Sequence, residues 1–460
     1  MRPVLSAVIA IVLWLTITAG WMRNTVLPVF DQQFRDFYLT LTVDSRADDA
    51  PGLLHLVFDN EALASHGLPT RVPIQAIYDM LEVARHSAQT VVLDIDLATR
   101  SDPDAVDGLA RYLAAWSADP DAALLTLAYP IYDVPYREQT AFLRMDEVVQ
   151  ASPNIRWAGV GTYADADGVI RHYEFWTCLE DETERPPVLL PSVAVFIWAR
   201  HASVSAVVAA DTVGEAFRDS APVCTGGGAP GLALGSTATP VPQTGLIEYQ
   251  TSVDAVTADA GETGQFAPDG FPRLMSVGYC RINPGACGDQ AGPARLAELA
   301  ADRIVLISAA NDFSRDEHAT PVGFMAGSVI LGNAGRALIN SGPPMPASKP
   351  LQLVILLLAV VVISVVWALS GMFSRWIRSH VKRAWLFKTL NGIFNPGLVQ
   401  WLAFAAADVL IFFYYFFFFA TSGWNGLMAA SLGATTMAAI IAFTEWLSTP
   451  WEQERLEDGS

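Results

Sequence analysis

The chain has 460 residues, 52% of them hydrophobic, and a formal net charge of −19 at pH 7. Its acidity is concentrated in residues 24–348, which contain 41 Asp and Glu, 19 Arg and no Lys. A surface this acidic repels phosphate, which excludes nucleic acid as a partner and disfavours anionic lipid head groups. Solubility alone also accounts for the charge.

Four apolar stretches predict four transmembrane helices, one N-terminal and three C-terminal, because a bilayer core needs about 20 apolar residues to be crossed. They are Val4 to Gly20, Leu351 to Leu369, Leu398 to Ala420 and Leu427 to Phe443. The first stretch also has features of a cleaved signal peptide. Its length, with Trp14 and Trp21 suited to a membrane interface, favours an uncleaved anchor.

The loop 371–397 contains five Lys and Arg and no acid, which predicts a cytoplasmic location. The remaining segments follow from this orientation, with both termini in the cytoplasm. They are an anchor (1–23), an extracytoplasmic domain (24–348), a three-helix membrane region (349–447) and a short acidic tail (448–460).

All four cysteines lie in the predicted extracytoplasmic domain, which fits disulfides in an oxidising compartment. Four cysteines allow three pairings. The short turn-rich loop between Cys280 and Cys287 favours that pair, which leaves Cys178 with Cys224. A zinc site is the rival interpretation, but it lacks a CxxC spacing and a neighbouring histidine cluster.

Apolar runs at Leu53–Phe58 and Thr90–Leu97 are typical of buried strands, and Ile74–His86 between them has helical periodicity. This β-α-β order predicts that the two strands are parallel. Further strands are predicted at 122–128, 157–160 and 303–309, and further helices at 103–116, 191–207 and 326–340. The pattern predicts an α/β domain with a mostly parallel sheet and helices on both faces. Residues 224–270 are rich in Gly, Thr, Ala and Pro, which indicates loops and edge strands.

Several short motifs resemble the CHASE2 family of extracytoplasmic sensory modules in bacterial membrane receptors. They are Val57-Phe58-Asp59 with Glu61-Ala62-Leu63, Pro69 and Arg71, Val91-Val92-Leu93-Asp94, the run from Asp165 to Arg171, Ile304-Val305-Leu306-Ile307, Thr320-Pro321 and Asn333-Ala334. The layout of one helix before the domain and three after it is also similar. Two segments depart from the family pattern, Leu68-Pro69-Thr70 and Leu331-Gly332-Asn333.

The resemblance implies a sensor in the bacterial inner membrane with its large domain in the periplasm. Family members commonly continue into a cyclase or kinase, whereas this sequence stops shortly after its last apolar stretch. We therefore expect the signal to pass to a separate signalling partner, and a second copy of the chain is another candidate partner. The alternative is a structural or assembly subunit of a membrane complex.

The candidate ligand-binding residues are Asp59, Asp94 and Asp96 at strand ends, together with Arg71 of the family motif. Ligands of open α/β sheets bind outside the carboxyl ends of the strands, although an Asp there also caps helices and closes turns. Asp94 and Asp96 also resemble the paired acids of haloacid-dehalogenase-type phosphatases, which would make the domain a hydrolase. That family requires a lysine that residues 24–348 do not contain, so we predict a protein that is not an enzyme.

We predict no metal and no cofactor. Asp316 and His318 have the spacing of metal ligands, but a polar loop is favoured. The run from Asp165 to Gly168 is typical of a tight turn and lacks the closing Glu of a calcium loop.

Two features of the apolar C-terminal region favour a role in coupling or assembly. Asp408 falls near the middle of the third apolar stretch, where a charge is costly and needs a partner. A stripe of small residues lets another helix approach closely. The stripe is formed by Gly426, Ala430, Ala434 and Ala438, and packing within the chain's own bundle is the alternative.

Overall fold

The computed structural model of the protein describes Asp36 and thirteen ranges between residues 50 and 343. These ranges are 50–67, 71–97, 102–129, 140–179, 188–218, 223–224, 229–234, 237–247, 249, 256–257, 273–283, 293–309 and 316–343. The chain divides into two compact units, one of Leu39–Pro344 and one of Met1–Tyr38 with Met345–Ser460.

The predicted membrane segments lie outside the described residues, and so do loop 371–397, Asp408, Gly426, Ala430, Ala434 and Ala438. Within the part that the structure describes, no helix combines the length and apolarity needed to cross a bilayer. The predicted topology, segment boundaries and coupling residues therefore stay predictions.

Sixteen strands are present in the described ranges. They are β1 (Leu53–Phe58), β2 (Thr90–Asp94), β3 (Leu124–Ala128), β4 (Ile155–Ala158), β5 (Thr162–Ala164), β6 (Ile170–Glu174), β7 (Trp176–Leu179), β8 (Val188–Pro191), β9 (Gly231–Leu234), β10 (Thr237–Pro240), β11 (Thr244–Leu246), β12 (Val256–Thr257), β13 (Leu274–Gly278), β14 (Ile304–Ala309), β15 (Glu317–Thr320) and β16 (Gly323–Ala326). Seven of them form one parallel sheet in the order β12-β13-β1-β14-β2-β3-β4.

The same ranges contain nine helices. They are α1 (Asn60–Ser65), α2 (Ile74–Ala84), α3 (Pro103–Ser117), α4 (Thr140–Ala151), α5 (Val193–Ala202), α6 (Ala206–Ala216), α7 (Tyr279–Ile282), α8 (Pro293–Ala300) and α9 (Gly327–Ser341). Asp102 begins α3 by accepting the amide of Asp104 at 3.1 Å, and Pro103 occupies the first helical position.

Helices cover both faces of the sheet. Side chains alternate along β1, so that Leu54, Leu56 and Phe58 join the core formed with α2 and α3, whereas Leu53 joins the core formed with α5 and α9. Gly332 brings α9 close to the sheet, since a Cβ there would lie 3.0 Å from a methyl of Leu53. The mostly parallel α/β fold with helices on both faces is confirmed.

Some local predictions need correction. The strand predicted to reach Leu97 ends at Asp94. The single helix predicted at 191–207 is two helices, α5 and α6, because Ser203 is extended and the Ser205 hydroxyl accepts the amide of Val208 to start a new helix. β1 and β2 are parallel as predicted, but β14 lies between them.

The predicted tight turn lies between the antiparallel strands β5 and β6. The amide of Gly168 donates to the carbonyl of Asp165 at 2.9 Å, and Gly168 has the left-handed φ of 80° that favours glycine. The predicted disulfide between Cys178 and Cys224 is confirmed. Cys280 is also disulfide-bonded, and Cys287 lies outside the described residues.

Candidate functional site

A row of polar side chains crosses one face of the parallel sheet near its carboxyl edge. Residues that alternate along a strand point to opposite faces, so His55 shares the face of Leu53, which packs against α5 and α9. Ser276 lies beside His55 on β13, and Asp94 on β2 lies beside Ser308 on β14. Four adjacent strands, β13, β1, β14 and β2, therefore each contribute a polar residue to this row.

His55 lies at the centre of this row, between two serines. Its Nε2 lies 2.8 Å from the Ser308 hydroxyl and its Nδ1 lies 3.2 Å from the Ser276 hydroxyl. Ser328, in the first turn of α9, donates to Ser308 at 3.1 Å. Burial lowers the pKa of His55 to about 4, although nearby Asp316 opposes the change. The imidazole is thus neutral at pH 7, and its two nitrogens are satisfied by serines.

Asp94 differs from the rest of the row because its carboxyl group accepts no hydrogen bond from any described residue. Burial raises the pKa of Asp94 to about 7, Asp316 adds to the increase, and His318 opposes it. The strand end therefore carries a carboxyl group that exchanges its proton near neutral pH.

Asp316 and His318 come from the hairpin of β15 and β16, far along the chain from Asp94. The Nε2 of His318 lies 3.2 Å from an Asp316 oxygen, and this hydrogen bond raises the pKa of His318. The Asp316 carboxylate also covers the first residue of α9, since a Cβ on Gly327 would lie 2.4 Å from it. A carboxylate there is stabilised by the helix dipole.

Tyr173 and Ser192 border the same edge from β6 and the start of α5. The Tyr173 hydroxyl donates to the carbonyl of Gly159 at 3.3 Å, and Ser192 is next to Gly159 through an isolated parallel bridge. Burial raises the pKa of Tyr173, the side-chain hydrogen bond with Ser192 opposes the increase, and Asp94 adds to it. The Ser192 hydroxyl is buried beside that of Tyr173.

The four residues predicted to bind a ligand have different surroundings. Asp59 caps α1 by accepting the amide of Ala62 at 2.9 Å, which is the capping role considered as its alternative. Arg71 and Asp96 are exposed. Only Asp94 belongs to the polar row. Its neighbours Asp316 and His318, for which a polar loop was predicted, are hydrogen-bonded to each other.

The sequence reasoning missed His55, Tyr173, Ser192, Ser308 and Ser328. Two of them carried a usable signal, because His55 interrupts the apolar run of β1 and Ser308 follows the apolar run of β14. The other three are ordinary residues of a strand or a helix start. Within the described ranges, no three His, Cys, Asp or Glu side chains group in a way that could hold a metal ion.

The chain was compared with protein-family models, with curated proteins and with solved structures. The model of the CHASE2 domain matches residues 6–372, which is most of the chain. No curated protein and no solved structure matches it.

Proposed function

The chain belongs to the CHASE2 family, whose domain is an extracytoplasmic sensory module, and from that premise we propose that it is a membrane-bound sensor subunit that signals through a separate protein. The family match carries this proposal. The sequence pattern adds the predicted inner-membrane topology, with the domain of 24–348 in the periplasm.

The proposed ligand site is the crevice at the carboxyl edge of the sheet, beside Asp94. Ligands of open parallel sheets bind at this edge because the strand-to-helix loops and helix starts converge there. Asp94 supports the location, since a partly buried carboxyl group that receives no hydrogen bond from a described residue is poorly satisfied until something binds. Asp316 and His318 lie near Asp94 and would share the site.

The proposed activity is binding rather than catalysis. In the hydrolase alternative, Asp94 would attack phosphate as a carboxylate, and Asp96 would act as its acid. A pKa of about 7 leaves much of Asp94 protonated at neutral pH, which suits a nucleophile poorly. Asp96 is exposed and follows the end of β2, so it does not share the polar row with Asp94.

Covalent crosslinking in intact cells would test the signalling proposal with the full-length chain. We expect the wild-type protein to capture a membrane or cytoplasmic signalling protein reproducibly, and Asp94→Asn to change the amount captured. Asp121→Asn, an exposed aspartate between α3 and β3, is the matched control and should capture the wild-type amount.

Two results would contradict the sensor proposal. If neither protein captures a partner, signalling through a separate protein is wrong. If a partner is captured equally by wild type and Asp94→Asn, the chain behaves as an assembly subunit whose contacts do not depend on the crevice.

A further inference from the structure

We propose that α9 couples the two edges of the parallel sheet, and that Arg336 joins the last turns of this helix to the segment before β1. This inference rests on the proposed sensor function, because it names the element that would carry a change from the carboxyl edge of the sheet to the amino edge. Three features of the described residues support it: the contacts at the two ends of α9, its close packing, and the buried position of Arg336.

One face of α9 lies along the sheet from its carboxyl edge to its amino edge. Ser328, Gly332 and Arg336 are spaced four apart in the sequence, so they lie on the same side of the helix. Ser328 donates to the hydroxyl of Ser308, near the carboxyl end of β14, at 3.1 Å. About two turns later, Arg336 donates to the carbonyl of Pro51, just before β1 begins, at 2.9 Å. The helix therefore contacts both edges of the sheet directly.

Glycines bring α9 very close to its neighbours between these two contacts. A Cβ on Gly332 would lie 2.9 Å from a methyl of Leu306 and 3.0 Å from one of Leu53. On the other side of the helix, a Cβ on Gly335 would lie 2.7 Å from Ile197 of α5. Closely packed interiors have low compressibility and transmit displacements. A shift at one end of α9 should therefore reach the other end.

Arg336 fastens this helix to the backbone at the amino edge. Its side chain is 0% exposed, and one nitrogen, Nη1, donates to the carbonyls of Pro51 at 2.9 Å and Arg273 at 3.3 Å. The carbonyl of Arg273 also accepts the amide of Leu53 at 2.7 Å, which connects β13 to β1. The chain enters β1 and leaves α9 at the same edge, and Arg336 joins these two points.

The burial of this guanidinium distinguishes it from ordinary packing. Burial lowers the pKa of Arg336 to about 9, so the group stays charged at pH 7 but loses solvation. An apolar side chain of similar length, such as methionine, would fill the space without that desolvation cost, but it would not bind the two carbonyls. The bond to the segment before β1 therefore accounts for an arginine at this position better than packing does.

Hydrogen-exchange mass spectrometry on the full-length chain, purified in detergent, tests the coupling. Arg336→Met should speed amide exchange at residues 52–53 by about tenfold or more, because the group that holds this segment is lost. Arg336→Lys should restore most of the protection, since a single nitrogen makes both bonds and a lysine ammonium has three donors. Arg200→Met is the matched control, because Arg200 of α5 also donates to a backbone carbonyl, that of Ser203 at 3.0 Å, and should leave residues 52–53 unchanged.

Ser328→Ala tests the coupling from the opposite end of the helix, and it applies even if Arg336→Met does not fold. We expect exchange at residues 52–53 to increase by about threefold, because a looser start of α9 should be felt at its end. Ser205→Ala, which loosens the start of α6 instead, is the control and should leave these amides unchanged.

Partner capture by crosslinking in cells supplies a readout that a purely structural arginine would not change. Arg336→Met should alter the amount of partner captured, Arg336→Lys should restore it, and Arg200→Met should match wild type. Unchanged capture by Arg336→Met would show that Arg336 only holds the fold, and would overturn its role in signalling.

The coupling itself is wrong if neither Arg336→Met nor Ser328→Ala changes exchange at residues 52–53, or if the control variants change it equally. Such a result would leave the sensor proposal intact, provided that wild type and Asp94→Asn still capture different amounts of partner. Failure of every protein to capture a partner would overturn the sensor proposal, whatever the exchange measurements show.

Discussion

Two clusters of aspartates in the described part of the chain differ in how their negative charge is balanced. In the turn between β5 and β6, Asp165 and Asp167 both bind Arg171, with N–O distances of 2.9 and 2.8 Å, and Arg171 is 3% exposed. At the carboxyl edge of the sheet, Asp94 and Asp316 have no ion pair with a described arginine. The first cluster contains an arginine as its counter-ion, whereas in the second His318 pairs with Asp316 and Asp94 receives no hydrogen bond from a described residue.

The protonation of the two clusters reflects this difference. The hydrogen bonds from Arg171 lower the pKa of Asp167 to about 2, so this carboxylate is ionised across the physiological range. Burial, with Asp316 nearby, raises the pKa of Asp94 to about 7. Asp167 is therefore insensitive to pH near neutrality, whereas Asp94 changes charge there.

The largest effect should come from removing the internal counter-ion. We expect Arg171→Met to lower the free energy of unfolding by about 3 kcal/mol, because Asp165, which is 14% exposed, loses its counter-ion while Asp167, at 44%, stays solvated. Denaturant unfolding at pH 7 measures the change. Arg144, which pairs with Asp107 and Glu147 at the surface, provides the control, and Arg144→Met should be indistinguishable from wild type. A small effect of Arg171→Met would mean that the two clusters do not differ as described.

Asp94→Asn, in the second cluster, should change the free energy of unfolding less and in the opposite direction. The pKa of Asp94 is about 7 in the folded state and 3.8 without structural influence, so the fold favours the protonated form. Ionised Asp94 lowers stability above pH 7, and this penalty is removed as the pH falls from 7 towards 4. At pH 8, Asp94→Asn should therefore be more stable than wild type by roughly 2 to 3 kcal/mol, allowing for solvent at the partly exposed carboxyl.

Denaturant unfolding of wild type and Asp94→Asn at several pH values would check the sign of this stability difference. The difference between the two proteins should shrink on acidification and vanish near pH 4. Taking the difference cancels the contribution of His55, whose lowered pKa makes acid destabilising in both proteins. A constant difference between pH 4 and 8 would show that Asp94 does not titrate near neutrality.

Much of the fold was predictable from local patterns. β1 was predicted with its observed bounds because six consecutive buried residues follow a turn-forming segment, and α3 was recognised from the Asp102-Pro103 start. The position of β14 between β1 and β2 was not predictable, since strand order depends on pairing between distant segments. The short strands β5 to β8 were missed because three to five residues of mixed polarity carry no clear periodicity.

The site was less predictable than the fold. Asp94 was found because it ends an apolar run, but Asp59 has the same signal and is a helix cap. What separates the two is the long-range approach of Asp316 and His318, and no local pattern contains that information. Ser192 shows the same limit, because a serine before a helix predicts a cap and its hydroxyl makes no capping bond.

Ser192 allows the smallest and most specific comparison, because α5 and α6 both begin after a serine. The hydroxyl of Ser205 caps α6 by accepting the amide of Val208 at 3.3 Å, whereas the hydroxyl of Ser192 makes no capping bond and is buried beside that of Tyr173. Ser205→Ala should lower the free energy of unfolding by about 1 kcal/mol through the lost cap. Ser192→Ala should change it by at most about 0.5 kcal/mol, because no capping hydrogen bond is lost.

Equal losses for the two alanine variants in denaturant unfolding would show that Ser192 is an ordinary cap. A loss confined to Ser205→Ala would show that the two serines have different roles although each precedes a helix. Ser192, at the carboxyl edge of the sheet, would then not be needed to begin α5.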